Sequence, residues 1–317
     1  MFFEGSKEVL ARLHEKKQLL AEGNPRHEEI RPALLVCSGV MRGVYGGGQV
    51  RALEEFGLSG VFDVAVGIST GAPTVGYFLA NQAALGTTIY SEECTSAQFL
   101  SVSRFLRGKG PVMDTDYLSR VFRGEVSCKR LAQEAIVQSR TDFFVGVTCG
   151  ETGEGAFLDA KSVAPDVIEA IHASLVAPGI SRGAVVLGGR VWIDGGISLA
   201  FPVRKIIANF KPTDLLVLAN RSGAPRRTFS LERMFRPLLF AKFPVAVEQV
   251  FARRNERFAD ELRFLREQRE TRWAVVWTDK EVGRFERNQH KLEAAAMRSY
   301  RHLKNLLAEI SATALTS

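Results

Sequence analysis

The chain has 317 residues, of which 46% are hydrophobic, and this length suits one large α/β domain with a smaller appendage. Its net charge of +7 is compatible with nucleic acid, anionic lipid or an acidic partner. No recognised nucleic-acid motif is present, so no nucleic-acid partner is expected. The four cysteines lack metal-ligand spacing, which predicts free thiols in a reducing cytoplasm and no metal site.

No stretch has the character of a signal peptide or a membrane span. The first residues are charged throughout, and the longest uncharged stretch, 64–90, contains too many polar and glycine residues to cross a bilayer. We therefore expect a cytoplasmic protein, with an optional peripheral contact at the inner face of the membrane.

The predicted elements begin with a charged helical extension over residues 1–32. A buried strand over 33–37, a helix over 44–56, a strand over 62–66 and a buried helix over 72–84 follow. This alternation predicts an α/β three-layer sandwich with a mainly parallel central sheet over residues 33–223. Later elements are predicted to follow the same plan: strands over 143–148, 191–194 and 214–218, and a helix over 165–174.

Residues 224–317 are predicted to form a basic, mostly helical C-terminal region packed on the main domain, with a strand over 273–277 and a helix over 289–310. Between Arg226 and Arg272, phenylalanines alternate with arginines. The segment is either a helical cap whose phenylalanines fill a core, or a lipid-facing surface that attracts anionic headgroups.

The sequence Gly67-Ile68-Ser69-Thr70-Gly71 matches G-x-S-x-G, in which the serine occupies a tight strand-to-helix turn. The pattern occurs again at 179–183, around Ser181. Only Ser69 lies between a predicted strand and a predicted helix, so Ser181 is predicted to lie in a loop. Taken alone, the first match also fits a glycine-rich turn without chemistry.

Two further motifs are predicted to lie near Ser69. The loop 38–43 follows the first buried strand, and its backbone N–H groups can form an anion-binding nest that would serve as an oxyanion hole. It fits neither G-x-G-x-x-G nor the P-loop pattern, which disfavours a nucleotide site. The third motif, Asp194-Gly195-Gly196, ends a predicted strand and by itself indicates only a turn.

Together, the three motifs resemble the patatin-like phospholipase family. The resemblance implies Ser69 as nucleophile, Asp194 as base, the elbow glycines Gly67 and Gly71, and no cofactor. It assigns the oxyanion hole to the glycine-rich loop, and the residues expected there are Gly39, Val40, Arg42 and Gly43.

The family loop is usually Gly-Gly-Gly, whereas this chain has Ser38-Gly39-Val40, and a β-branched valine tolerates few unusual backbone angles. The dyad implied by the resemblance contains no histidine. His290 and His302 are the alternatives if a histidine base is used.

The expected activity is acyl-ester or phospholipid hydrolysis through an acyl-enzyme intermediate. The competing hypothesis is a catalytically weakened protein that serves as a lipid-binding or regulatory module, and the Ser-Gly-Val loop motivates it. The sequence does not determine the headgroup, the chain length or the oligomeric state.

Overall fold

A computed structural model describes residues 1–224, 236–279 and 282–314, with the side chains of 313 and 314 excepted. The strands are β1 (Phe2–Gly5), β2 (Pro32–Val36), β3 (Val64–Ile68), β4 (Asp142–Cys149), β5 (Gly155–Asp159), β6 (Val185–Leu187), β7 (Arg190–Asp194), β8 (Asp214–Leu218) and β9 (Arg272–Trp277). The α-helices are α1 (Glu8–Ala21), α2 (Gly43–Glu55), α3 (Gly71–Leu79), α4 (Ala83–Thr88), α5 (Val102–Leu106), α6 (Thr115–Arg123), α7 (Gln133–Gln138), α8 (Val167–Leu175), α9 (Val203–Phe210), α10 (Val245–Ala252), α11 (Arg254–Glu267) and α12 (Gln289–Ala314).

The described strands form one sheet in the order β1-β9-β8-β2-β3-β4-β7-β6, with β5 also paired to β4. The five strands β9, β8, β2, β3 and β4 are mutually parallel. The strands β1, β5, β6 and β7 are antiparallel to their partners. The prediction that β7 follows the parallel plan was therefore wrong. The short hairpin of β6 and β7 reverses the chain, and periodicity alone does not reveal strand direction.

Side chains alternate between the two faces of the parallel strands and bury both of them. Leu34, Val36 and Leu216 pack with the helices on one face. Leu35, Val217 and Trp277 pack on the other, where α9 and α11 lie. A strand that is buried on both faces explains why these segments read as continuous apolar runs. The predicted three-layer α/β sandwich with a mainly parallel sheet and a helical C-terminal part is thereby confirmed.

The two ends of the chain contribute to the same sheet. β1 pairs with β9, and β9 extends the parallel set beside β8. The prediction for residues 1–32 identified α1 but missed β1, which is too short to have a clear period. The division at residues 32/33 and 223/224 stays a prediction, and β1 and β9 lie outside its central range.

The phenylalanines of the arginine-rich segment pack inward wherever the structure describes them. Phe240 is buried with Ile193 and Val247, and Phe258 is buried against Phe201 and Trp277. This arrangement agrees with the predicted cap. Arg226, Phe229, Arg233 and Phe235 lie outside the described residues. Among the helices that are described, none has both the length and the apolar character needed to span a bilayer.

Candidate active site

Ser69 occupies the sharp turn between β3 and α3, with a left-handed φ of +53°. The turn closes so tightly that its flanking residues have no room for a side chain. A Cβ on Gly67 would lie 2.5 Å from Ala72 Cα, and one on Gly71 would lie 2.1 Å from Val36 O. The two glycines are therefore required by close backbone approach, as the elbow motif predicts.

The elbow is braced from beneath by Ser174 on α8. The Ser69 N–H donates to Ser174 Oγ at 2.8 Å, and Ser174 Oγ donates to Gly146 O on β4 at 2.6 Å. This buried chain of hydrogen bonds holds the strained residue to the neighbouring strand. The sequence gives no sign of this role for Ser174, because a helical serine carries no mark of its tertiary partner.

Asp194 lies directly against Ser69. The Ser69 hydroxyl donates to Asp194 Oδ2 at 2.7 Å, and the Gly196 N–H donates to Oδ1 at 2.6 Å. The contact follows from sheet register, since Ile68 is level with Gly146 on β4 and Asp194 is level with the next residue, Val147. β7 runs opposite to β3 and β4, and its last residue, Asp194, lies near the carboxyl end of β3.

Burial raises the pKa of Asp194 to about 6. The hydrogen bonds from Ser69 and Gly196, and the positive charge of Arg284, oppose that rise but do not cancel it. A carboxylate with this pKa is ionised at neutral pH and is still basic enough to accept a proton. These are the properties required of a general base that works near neutrality.

The loop 38–43 lies across the pocket from Asp194. Val40 adopts a left-handed φ of +55°, which is rare for a β-branched residue. The N–H groups of Met41, Arg42 and Gly43 donate to carbonyl oxygens of Arg284, Gly39 and Val40 respectively. Within the described residues, the N–H groups of Gly39 and Val40 have no protein acceptor. Of the four residues predicted for the oxyanion hole, these two therefore retain a backbone donor for a ligand.

The remaining members of the loop give it its shape. The Arg42 Nε donates to Val282 O at 3.0 Å, which ties the loop to the segment after β9. A Cβ on Gly43 would lie 2.3 Å from Tyr90 OH, so only glycine fits where α2 begins. Arg42 and Gly43 thus hold the loop in place.

Asn220, two residues beyond β8, is a further positioning residue that sequence reasoning missed. It is fully buried; its Nδ2 donates to Cys37 O at 2.5 Å and its Oδ1 accepts from the Gly46 N–H at 2.8 Å. It therefore clamps the chain on both sides of the 38–43 loop. No local signal marks an asparagine for such a role, because its two partners lie far away in sequence.

Two cavities meet at Val40. One has about 160 Å³ of free volume and is lined by Ser69, Asp194, Gly39 and Val40. The other is narrow, with about 30 Å³ of free volume, and extends beside α3 from Val40 and Thr70. Its lining is almost wholly apolar and includes Pro73, Tyr77, Ile89, Phe99, Met113, Leu118, Phe122 and Leu175.

The other candidates lie elsewhere. Ser181 lies in the turn after α8, where its N–H donates to Ala177 O at 2.8 Å, so the predicted loop is confirmed. His290 and His302 are on α12, and none of the described residues lining the Ser69 cavity is a histidine. In the described ranges the four cysteines are free and no His/Cys/Asp/Glu cluster is suited to a metal.

Comparison with known proteins places this geometry in a family. A model of patatin-like phospholipases matches residues 34–207, which is more than half of the chain. The uncharacterized protein YjjU of Escherichia coli (strain K12) is 29% identical over 179 residues, which are 55% of this chain and 48% of that protein. The chain thus spans about half the length of this curated relative.

Two solved structures are also similar. VipD from Legionella pneumophila has a TM-score of 0.38 at 10% identity, over 88% of this chain and 67% of its own. ExoU of Pseudomonas aeruginosa, solved in complex with SpcU, has a TM-score of 0.34 at 12% identity, over 87% and 60%. The family model confirms the resemblance inferred from the three motifs: the chain belongs to the patatin-like phospholipase family, a family of lipid acyl hydrolases.

Proposed function

We propose that this protein is a serine lipid acyl hydrolase that cleaves carboxylic esters with Ser69 as nucleophile and Asp194 as general base. The observation that carries the proposal is the 2.7 Å hydrogen bond from Ser69 Oγ to Asp194 Oδ2. It lies at the amino end of α3, whose dipole favours negative charge on the serine oxygen. The family membership of residues 34–207 agrees with this chemistry.

In the first step, Ser69 Oγ attacks the ester carbonyl carbon while its proton passes to Asp194. The carbonyl oxygen becomes an oxyanion, which the N–H groups of Gly39 and Val40 stabilise. When this intermediate collapses, the bond to the leaving alcohol breaks and the proton on Asp194 moves to that alcohol. The acyl group remains on Ser69.

In the second step, water attacks the acyl-Ser69 carbonyl and gives a proton to Asp194. The proton then returns to Ser69 Oγ as the fatty acid leaves, which restores the starting dyad. Each step uses side chains and backbone donors of this chain. The proposal therefore requires neither a metal nor a cofactor.

The apolar cavity beside α3 supports a lipid as substrate. Its wall includes Val40, a proposed oxyanion donor, and Thr70, the residue after the nucleophile, so an acyl chain inside it would bring its carbonyl to Ser69. Aliphatic and aromatic side chains form most of its wall, which matches the chemistry of an acyl chain. Because its free volume is about 30 Å³, these side chains would have to move apart to admit a long chain. The leaving group would then occupy the wider cavity that contains Asp194.

The test combines an active-serine probe with ester turnover. A fluorophosphonate is expected to label wild type and Ser181→Ala but not Ser69→Ala, and hydrolysis of p-nitrophenyl esters is expected to follow the same pattern. Labelling of Ser181 in a protein whose Ser69 is untouched would overturn the assignment. Circular dichroism of all three proteins checks that each is folded.

The competing function, a lipid-binding or regulatory module, is favoured by the strained valine of the loop. A left-handed β-branched residue stores on the order of 1–3 kcal/mol, and relaxation of Val40 would move one of the two N–H donors. That alternative predicts lipid binding with neither labelling nor turnover. Gain of turnover in Val40→Gly would then identify the loop as the cause.

A further inference from the structure

A short basic and apolar protrusion stands beside the apolar cavity. It consists of α5 and the residues after it, 102–109, and is called here the 102–109 protrusion. Three apolar side chains are exposed on it: Val102 at 55%, Phe105 at 47% and Leu106 at 78%. Their i, i+3 and i+4 spacing puts them on one face of the helix. Water is a poor environment for three adjacent apolar side chains, so this face is suited to a binding partner.

The protrusion is held outward by a well-bonded base. Arg104 donates to four carbonyl oxygens, those of Ala97, Gln98, Phe99 and Pro111. The backbone is also tied across the base by the Ser101 N–H, which donates to Val112 O at 2.9 Å. The exposed apolar face therefore belongs to an ordered turn.

Charge identifies the partner. Between residues 101 and 113 the sequence contains Arg104, Arg107 and Lys109 and no acidic residue. Arg107 and Lys109 are exposed next to the apolar face. Apolar side chains flanked by exposed cations match an interface of acyl chains and anionic headgroups.

The protrusion is continuous with the wall of the apolar cavity. Phe99 and Met113, at its two roots, both line that cavity, and the Met113 N–H donates to Ile180 O at the edge of the Ser69 cavity. A lipid surface in contact with Phe105 and Leu106 would thus lie on the side of the cavity whose wall contains Phe99 and Met113.

We propose that the 102–109 protrusion docks the protein on anionic lipid surfaces, with Phe105 and Leu106 entering the acyl region. The docking role deepens the proposed function and in that respect rests on it. Three side chains are too few for a stable protein–protein interface, which buries about 800 Å² on each partner. They are sufficient for weak, reversible membrane binding assisted by charge.

The test is co-sedimentation of the full chain with large unilamellar vesicles of phosphatidylglycerol or phosphatidylcholine, at low and high salt. Phe105→Ser/Leu106→Ser is expected to lower the partition coefficient on phosphatidylglycerol at least about tenfold, since two apolar side chains no longer leave water. Arg107→Gln/Lys109→Gln is expected to lower it about tenfold and to remove most of its salt dependence.

Val137→Ser is the matched control. Val137 is 54% exposed on α7, which leads into the amino end of β4, at the edge of the sheet away from Ser69. This variant is expected to bind vesicles as wild type does. Equal binding by Phe105→Ser/Leu106→Ser and Val137→Ser, or equal binding of wild type to both lipids, would overturn the proposal.

Two further measurements separate this proposal from its alternatives. Turnover of a soluble p-nitrophenyl butyrate is expected to be unchanged in Phe105→Ser/Leu106→Ser, because no interface is involved. Vesicle binding without turnover in wild type would contradict the proposed function alone. If lipid-free wild type sediments as a dimer and Phe105→Ser/Leu106→Ser sediments as a monomer, the face is a contact between copies of this chain and the lipid proposal fails.

Discussion

Replacing Asp194 by Asn tests the proposed base through stability as well as activity. Burial gives the carboxyl a pKa of about 6 in the folded protein, against an ordinary value of 3.8. The folded state therefore binds the proton more tightly than the unfolded state. The stabilising effect of that proton is fully present below pH 3.8 and is lost as the pH rises through 6.

The size of the effect follows from the same pKa. At about 1.4 kcal/mol for each tenfold change in proton affinity, the full loss is about 3 kcal/mol, most of it between about pH 4 and pH 7. The amide that replaces the carboxyl in Asp194→Asn does not ionise. As the pH rises through this range, the free energy of unfolding of wild type should therefore fall by about 3 kcal/mol relative to that of the variant. For a chain of this size, this is roughly 6 °C in melting temperature.

Urea unfolding of both proteins across this pH range measures the difference directly. In Ser69→Ala the loss of stability should be larger than in wild type and should extend to higher pH, because the hydroxyl that lowers the Asp194 pKa is absent. A difference between wild type and Asp194→Asn that does not change with pH would mean that the carboxyl is not buried as described. In Asp194→Asn the esterase rate should also fall about 10²–10⁴-fold, the usual contribution of a general base.

The remaining predictions concern the same site. Because only the ionised carboxylate accepts a proton, kcat/KM for a soluble ester should fall about tenfold for each pH unit below the Asp194 pKa of about 6, and a flat profile to about pH 5 would refute it. Gly71→Ala should lower the free energy of unfolding in urea by more than about 3 kcal/mol, because its Cβ would lie 2.1 Å from Val36 O. Gly60→Ala is the control: its Cβ meets no atom within 4 Å, and the free energy of unfolding should change by less than about 0.5 kcal/mol. Asn220→Leu should lose about 2–4 kcal/mol, because the two buried backbone groups it bonds are left without a partner; a loss under about 0.5 kcal/mol in the same assay would contradict this.

The parallel part of the fold was predictable because each of its strands is buried on both faces. β2 and β8 read as continuous apolar runs, and β8 was predicted with the bounds that the structure has. β1 and β5 were missed, since they are short and only partly buried, and their place in the sheet depends on distant partners. The direction of β7 was predicted wrongly for the same reason, because strand pairing depends on the tertiary structure and not on the local sequence.

The site residues also divide into those that the local sequence reveals and those that it does not. Ser69, Gly67 and Gly71 carry a local signal, because a tight turn demands glycine around the serine. Asp194 became a candidate only through the resemblance, since an Asp-Gly pair alone indicates a turn. Ser174 and Asn220 act through residues far away in sequence, and no spacing within one segment reveals such partners.

Because β7 pairs antiparallel with β4, the sheet itself determines where Ser69 and Asp194 lie relative to each other. Ser69 and Asp194 meet because β3, β4 and β7 are hydrogen-bonded in one register, whatever the lengths of the loops that join them. A slip of one residue would move the carboxylate by about 3.4 Å and turn it to the other face. Insertions next to Gly183, beyond the loop residues that line the Ser69 cavity, should then be tolerated by the chemistry. A mutation that shifts the register between β4 and β7 would abolish hydrolysis, even though Ser69 and Asp194 are both still present.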